Sequence, residues 1–221
     1  RFTNALRDYS VDGASLQTPR LVPVQDLIRA NLADKDARHL LVITDSQAGL
    51  EVLSDMITQT GRSPVVILGS NFPQDSSDSY MFRVLSRIIL CMESGRPLVL
   101  IDVERIFGSL YDMLNMNYTY IGKNRFCRVA LGAHSNPMVP VHPDFRCVVI
   151  MNSKQLDKAD PPLLNRFEKQ VLAYEDILSE QQRRVVADIE QWITDISSLL
   201  DEAVQPFPER DCFAGYHANT V

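Results

Sequence analysis

Leu40-Leu41-Val42-Ile43-Thr44-Asp45-Ser46-Gln47-Ala48-Gly49-Leu50-Glu51 passes from a short apolar run through a polar turn into a helical pattern. Three further runs share the character of the first: Val65-Val66-Ile67-Leu68, Leu98-Val99-Leu100-Ile101 and Val148-Val149-Ile150-Met151. None alternates apolar with polar, so each is expected to be covered on both faces, as strands inside a parallel sheet are. Between them the period changes to that of a helix. Leu50, Leu53 and Ile57 share a face over residues 46–59, and Met81, Leu85, Ile88 and Met92 share a face over 78–94. The second helix follows Ser76-Ser77 and stops at Gly95, a cap at each end. A shorter helix is expected over 106–114. Strands alternating with helices in this way specify an α/β sheet with right-handed crossovers.

Outside the alternation, residues 1–37 are polar and mixed, with an amphipathic patch at 24–32, and read as a linker carrying one helix. Residues 126–131 and 138–141 flank Gly132-Ala133-His134-Ser135-Asn136-Pro137 and read as a hairpin inserted before the fourth core strand. From about Leu178, the residues Val185, Ile189, Trp192, Ile196, Leu199 and Ala203 recur at steps of three and four, an apolar seam on one long helix. Pro206 and Pro208 end it, and the tail reads as linker. The expected divisions are 1–37, an α/β core over 38–174, a helical segment over 175–204 and a tail over 205–221.

Composition narrows the function. With 221 residues, 45% hydrophobic and 23% charged, the chain is globular rather than disordered or fibrous. No apolar run approaches the 18 or so residues of a membrane span. The net charge of −6 is concentrated in residues 175–203, which hold eight acidic and two basic side chains. Residues 1–174 are nearly neutral, so the basic surplus of a nucleic-acid surface is missing. Cys91, Cys127, Cys147 and Cys212 are scattered without a CxxC and without nearby histidine pairs, which argues against zinc and against a disulfide framework. A reducing compartment, the cytoplasm, follows. The chain begins with Arg1 and reads as a piece of something longer.

Three places could carry chemistry. A phosphate-binding loop after the first strand needs glycines, a lysine for the phosphates and a hydroxyl for Mg²⁺. With Gly49 set at the last glycine, Leu50 stands where the lysine belongs and Glu51 where the hydroxyl belongs, while Asp45 adds a further negative charge. The third strand runs into Asp102-Val103-Glu104 at the sheet edge where ligands of open α/β sheets sit. An extended chain would put both carboxylates on one side, to hold Mg²⁺ and to polarise water, unless Asp102 only caps the next helix. Third, Asp160-Pro161-Pro162-Leu163-Leu164-Asn165-Arg166-Phe167-Glu168-Lys169 would present Arg166 rigidly between buried Leu164 and Phe167. Its fork suits a neighbour's γ-phosphate; a salt bridge to Glu168 is the alternative. Asn152, ending the fourth strand, reads as a strand terminator or as a ligand of water or phosphate.

Taken together these segments resemble an AAA+ module, and closely the modules of the mysterin family of giant, dynein-like ubiquitin ligases. The resemblance covers about residues 21–174. It rests on Asp36-Ala37-Arg38-His39-Leu40-Leu41-Val42-Ile43, Gly108-Ser109-Leu110-Tyr111-Asp112-Met113-Leu114-Asn115, Leu131-Gly132-Ala133-His134, His142-Pro143-Asp144-Phe145-Arg146 and the Pro161–Lys169 segment. It implies a P-loop-NTPase-like sheet of five parallel strands flanked by helices, the fifth strand near 167–172, and a helical lid begun at Glu175. It also implies roles: Asp102 and Glu104 at the Walker-B position, Asn152 at sensor one and Arg166 at the arginine finger. Leu50 and Glu51 depart from the family's Walker A. Such rings mix active and inactive modules, so the resemblance implies ATP and Mg²⁺ in neighbouring modules. It further implies zinc, a ubiquitin-conjugating enzyme and ubiquitin at a ligase region elsewhere in the parent.

Three readings follow. In the first, the chain is a non-hydrolysing module that braces a ring and lends Arg166 to the adjacent module, with no cofactor or metal of its own. In the second, it is a self-sufficient ATPase using Asp102 and Glu104. In the third, it is an interaction module using the acidic helix of 175–203.

Overall fold

The computed structural model describes residues 22–45, 48–70, 72, 75, 77–132, 135–198 and 209–216. Helix α1 (Val24–Ala33) leads into strand β1 (Leu40–Ile43), followed by α2 (Ala48–Thr58), β2 (Val65–Leu68), α3 (Asp78–Ser94) and β3 (Leu98–Ile101). A 3₁₀ turn (Glu104–Ile106), α4 (Tyr111–Leu114), β4 (Thr119–Ile121), β5 (Asn124–Arg128) and β6 (Met138–Pro140) precede β7 (Cys147–Met151). Then come α5 (Ser153–Leu156), α6 (Pro161–Leu164), β8 (Glu168–Val171), α7 (Tyr174–Ile177), α8 (Glu180–Ser198) and α9 (Glu209–Cys212).

Five strands form a parallel sheet in the order β2-β3-β7-β1-β8. Leu40 lies opposite Val148 on one side and Glu168 on the other, and Leu98 lies between Val65 and Cys147. The four apolar runs are therefore the four strands expected. Those at the centre, β1 and β7, are buried along their whole length. The fifth, β8, is an edge strand of sequence Glu-Lys-Gln-Val with alternating exposure, too polar for a hydropathy pattern to reveal.

Both faces are covered, as uninterrupted apolar strands require. Leu41, Ile43, Leu100 and Val149 pack with Leu85, Ile88 and Met92 of α3 on one face. Leu40, Val42, Val99 and Val148 pack with Ile28 and Leu32 of α1 and Leu53 and Ile57 of α2 on the other. The caps foreseen for α3 are present: the Ser77 hydroxyl accepts from the Tyr80 amide at 3.3 Å, and Gly95 ends the helix at φ 72°.

The structure differs from expectation in three places. The helix expected over 106–114 is broken into the 3₁₀ turn and α4. Gly108 disfavours a continuous helix, while Ile106, Phe107, Leu110, Met113 and Leu114 are all buried. The inserted hairpin has a third strand, β4, joined to β5 through Gly122 at φ 63°, the residue that two-residue hairpin turns favour at their first position. On α8 the apolar seam is exposed: Val185 is 56%, Ile189 42% and Trp192 55% accessible, while Ile193 and Ser197 are buried. The helix turns a neighbouring face inward, and the Phe213 ring lies 5.6 Å from that of Trp192, so the tail folds back through α9. Leu199, Ala203, Pro206 and Pro208 lie outside the described residues.

A buried polar knot ties this fold together. Arg146 at the start of β7 donates to the Asn31 carbonyl and side chain (3.0 and 2.6 Å), to the Arg38 carbonyl (2.8 Å) and to the Ala37 carbonyl. The Asn31 amide passes the network on to Glu168 at 2.7 Å. Beside it His39 is fully buried and accepts from the Cys147 amide through Nδ1 at 3.3 Å, which places its proton on Nε2. Burial first, and then the Arg146 charge, pull the His39 imidazole down to about 3. Unfolded chain takes up that proton near the ordinary value of 6.5. Between the two values the unfolded state binds more protons, so stability falls with falling pH by on the order of 1 kcal/mol per pH unit. His39→Gln, whose carbonyl can still accept from Cys147, is expected to flatten that loss in urea titrations between about pH 6 and pH 4. Equal slopes for the two chains would refute it.

Candidate functional site

The ends of β1, β3 and β7 open on a crevice of about 500 Å³ lined by Thr44, Asp45, Leu50, Glu51, Leu68, Ile101, Asp102, Ile150 and Asn152. This is the edge of an open α/β sheet at which ligands bind. Its polar lining is three carboxylates, two neutral polar groups and, among the described residues, no cation. Three of the polar groups are engaged by α5. The Ser153 hydroxyl donates to Asp45, and the Gln155 amide donates to Asp102 at 3.3 Å. Asn152 accepts from the Lys154 amide at 2.9 Å and its own amide donates to Gln155 at 3.3 Å, a capping box on α5. Hydrogen bonds from α5 thus close the loops after β1 and β3 onto β7. Gly49 serves packing: a Cβ there would come within 2.7 Å of the Thr44 side chain.

Asp102 stands at φ 53°, a left-handed conformation unusual for a residue with a side chain. The turn is locked from β2, where the Gly69 amide donates to Ile101 at 2.7 Å and a Cβ on Gly69 would lie 1.6 Å from the Asp102 carbonyl oxygen. The chain therefore leaves the strand direction at once and enters the 3₁₀ turn. The expectation that Asp102 and Glu104 project from the same side of an extended strand is corrected: Asp102 lines the crevice and Glu104 does not. The two share only a smaller cavity of about 230 Å³ on the β2 side. To the oxygens of a triphosphate the crevice offers carboxylates and, among the described residues, no basic partner. Among the described residues no group of three His, Cys, Asp or Glu is placed to hold a metal ion.

Arg166 lies apart from this crevice, in a third cavity of about 690 Å³ with Glu104, Phe107, Tyr111, Gln155, Lys158 and Asp160 among its walls. Pro161 and Pro162 open α6, and the backbone that follows is pinned by Arg38, which donates to the Asn165 carbonyl at 2.8 Å, and by Lys169, which donates to the Leu164 carbonyl at 3.0 Å. Leu163 and Phe167 are the buried flanks; Leu164 is only partly so. The alternative pairing with Glu168 is absent, because Glu168 accepts from Asn31 and Gln170. Instead the Arg166 guanidinium sits 3.9 Å from the Tyr111 ring centre. Tyr111 and Gln155 were not singled out in the sequence; Gln155 carried a signal in its spacing of three from Asn152.

The sequence family described as the RNF213 AAA domain matches residues 29–178. The chain belongs to that family. The mouse E3 ubiquitin-protein ligase RNF213 is 33% identical over 188 residues, 83% of this chain, and the human one is 30% identical over 201 residues, 89% of this chain. In each case the chain spans 4% of the relative's length. A solved structure of a DNA polymerase III gamma subunit-related protein from Thermotoga maritima overlays 79% of this chain and 53% of that one, at TM-score 0.44 and 10% identity. The RNF213 AAA family is thus the one that the motifs resembled, and several of those motifs are the polar knot: Arg38 and His39, Arg146, and Glu168 supply it. No described helix is long and apolar enough to cross a membrane.

Proposed function

We propose that this RNF213-type module is structural rather than hydrolytic: it braces an AAA+ ring within a ubiquitin ligase and presents Arg166 to the nucleotide of the adjacent module. The observation that carries this reading is the crevice in which Asp45, Glu51 and Asp102 meet no cation among the described lining residues, with Asp45 and Asp102 tied to α5. In this reading ATP and Mg²⁺ belong to neighbouring modules, zinc to the parent's ligase region, and a ubiquitin-conjugating enzyme and ubiquitin are partners of the parent, in the cytoplasm. A calorimetric titration of the chain with ATP·Mg²⁺ is expected to show no saturable heat. A dissociation constant near the micromolar level, about −8 kcal/mol, would overturn it and revive a self-sufficient ATPase.

The exposure of Val185, Ile189 and Trp192 on the acidic α8 favours a second, compatible use. Here α8 is a contact surface for other parts of the parent, and the α/β core is its scaffold.

A further inference from the structure

We infer that Tyr111 is the positioning residue for Arg166, holding the guanidinium by the face of its ring so that the N–H donors stay available to an incoming phosphate. This rests on the reading of Arg166 as a finger for the adjacent module.

The geometry separates the two things a finger needs, a fixed position and an uncommitted charge. A carboxylate partner would fix Arg166 but occupy its donors, and a phosphate would have to displace it. Among the described residues no carboxylate lies within ion-pair distance of Arg166, although Glu104 and Asp160 line the same cavity. The Tyr111 ring meets the cation at 3.9 Å through its π-face, which attracts charge without accepting from the in-plane donors. Both partners are held from behind. Tyr111 opens α4, whose Met113 and Leu114 are fully buried, and Arg166 is followed by buried Phe167. Tyr111 is 51% exposed, so the stacked pair lies at the surface, where an adjacent module can reach it.

The experiment measures ATP turnover of the full-length parent for three variants. Tyr111→Leu is expected to lower kcat about tenfold with KM unchanged, the size of a partly desolvated cation–π contact. Tyr111→Phe keeps the ring face and is expected to retain nearly all of kcat. Arg166→Ala sets the floor. If Arg166→Ala lowers turnover and Tyr111→Leu does not, or if Phe and Leu at 111 lower kcat equally, the positioning role is overturned and the finger stands. If Arg166→Ala itself has no effect, the finger reading falls and takes this inference with it.

Discussion

An Arg146→Met chain is expected to unfold with about 3–5 kcal/mol less free energy than the unmodified chain, read as a lowered urea midpoint in far-UV circular dichroism. Arg146 is 3% exposed and serves four acceptors contributed by Asn31, Ala37 and Arg38. Methionine fills a similar volume, so the cavity cost is small and the loss is polar. Each buried acceptor left without a donor costs about 1–3 kcal/mol. Part of that is offset, because a desolvated charge also disappears; burial already pulls the Arg146 guanidinium below its usual range. Arg146→Lys is expected to recover only part of the difference, since one ammonium cannot reproduce a planar fork that reaches both α1 and the segment before β1. A loss under about 1 kcal/mol for Arg146→Met would show that the knot is not what joins these elements.

Arg166→Ala gives the second large effect, and it falls on turnover instead of stability. In the full-length parent, the adjacent module's hydrolysis is expected to drop about a thousandfold, roughly 4 kcal/mol of barrier, as arginines supplied in trans do. The chain itself should melt as before, because Arg166 makes a ring contact and no ion pair among the described residues. Unchanged steady-state turnover would remove the finger and leave only the bracing role.

The interior strands β1, β3 and β7, the apolar edge strand β2, and the extent of α3 with its caps were legible because strands covered by helices leave a run without polar interruption, and caps need particular residues. The fifth strand was legible only through family resemblance, since Glu168, Lys169 and Gln170 look like a loop until β1 is beside them. The exposed seam of α8 was illegible because periodicity states which residues share a face, not which face finds a neighbour. At the site, the missing cation at Leu50 and Glu51 could be read directly. The turn at Asp102 could not, because it depends on Gly69, a residue more than thirty positions earlier in the chain. Tyr111 stayed hidden since nothing in its own segment points to Arg166.

Trp192 has a practical bearing on all such measurements. It is the sole tryptophan of the chain, half-exposed on α8 and in contact with Phe213 of the returning tail, far in sequence from the sheet. Its emission therefore reports whether the tail is seated on α8, and a fluorescence transition can precede the loss of the β1–β7 core. The molecule carries its own optical label for one appendage, so α8 with its tail and the sheet can be followed separately in a single sample.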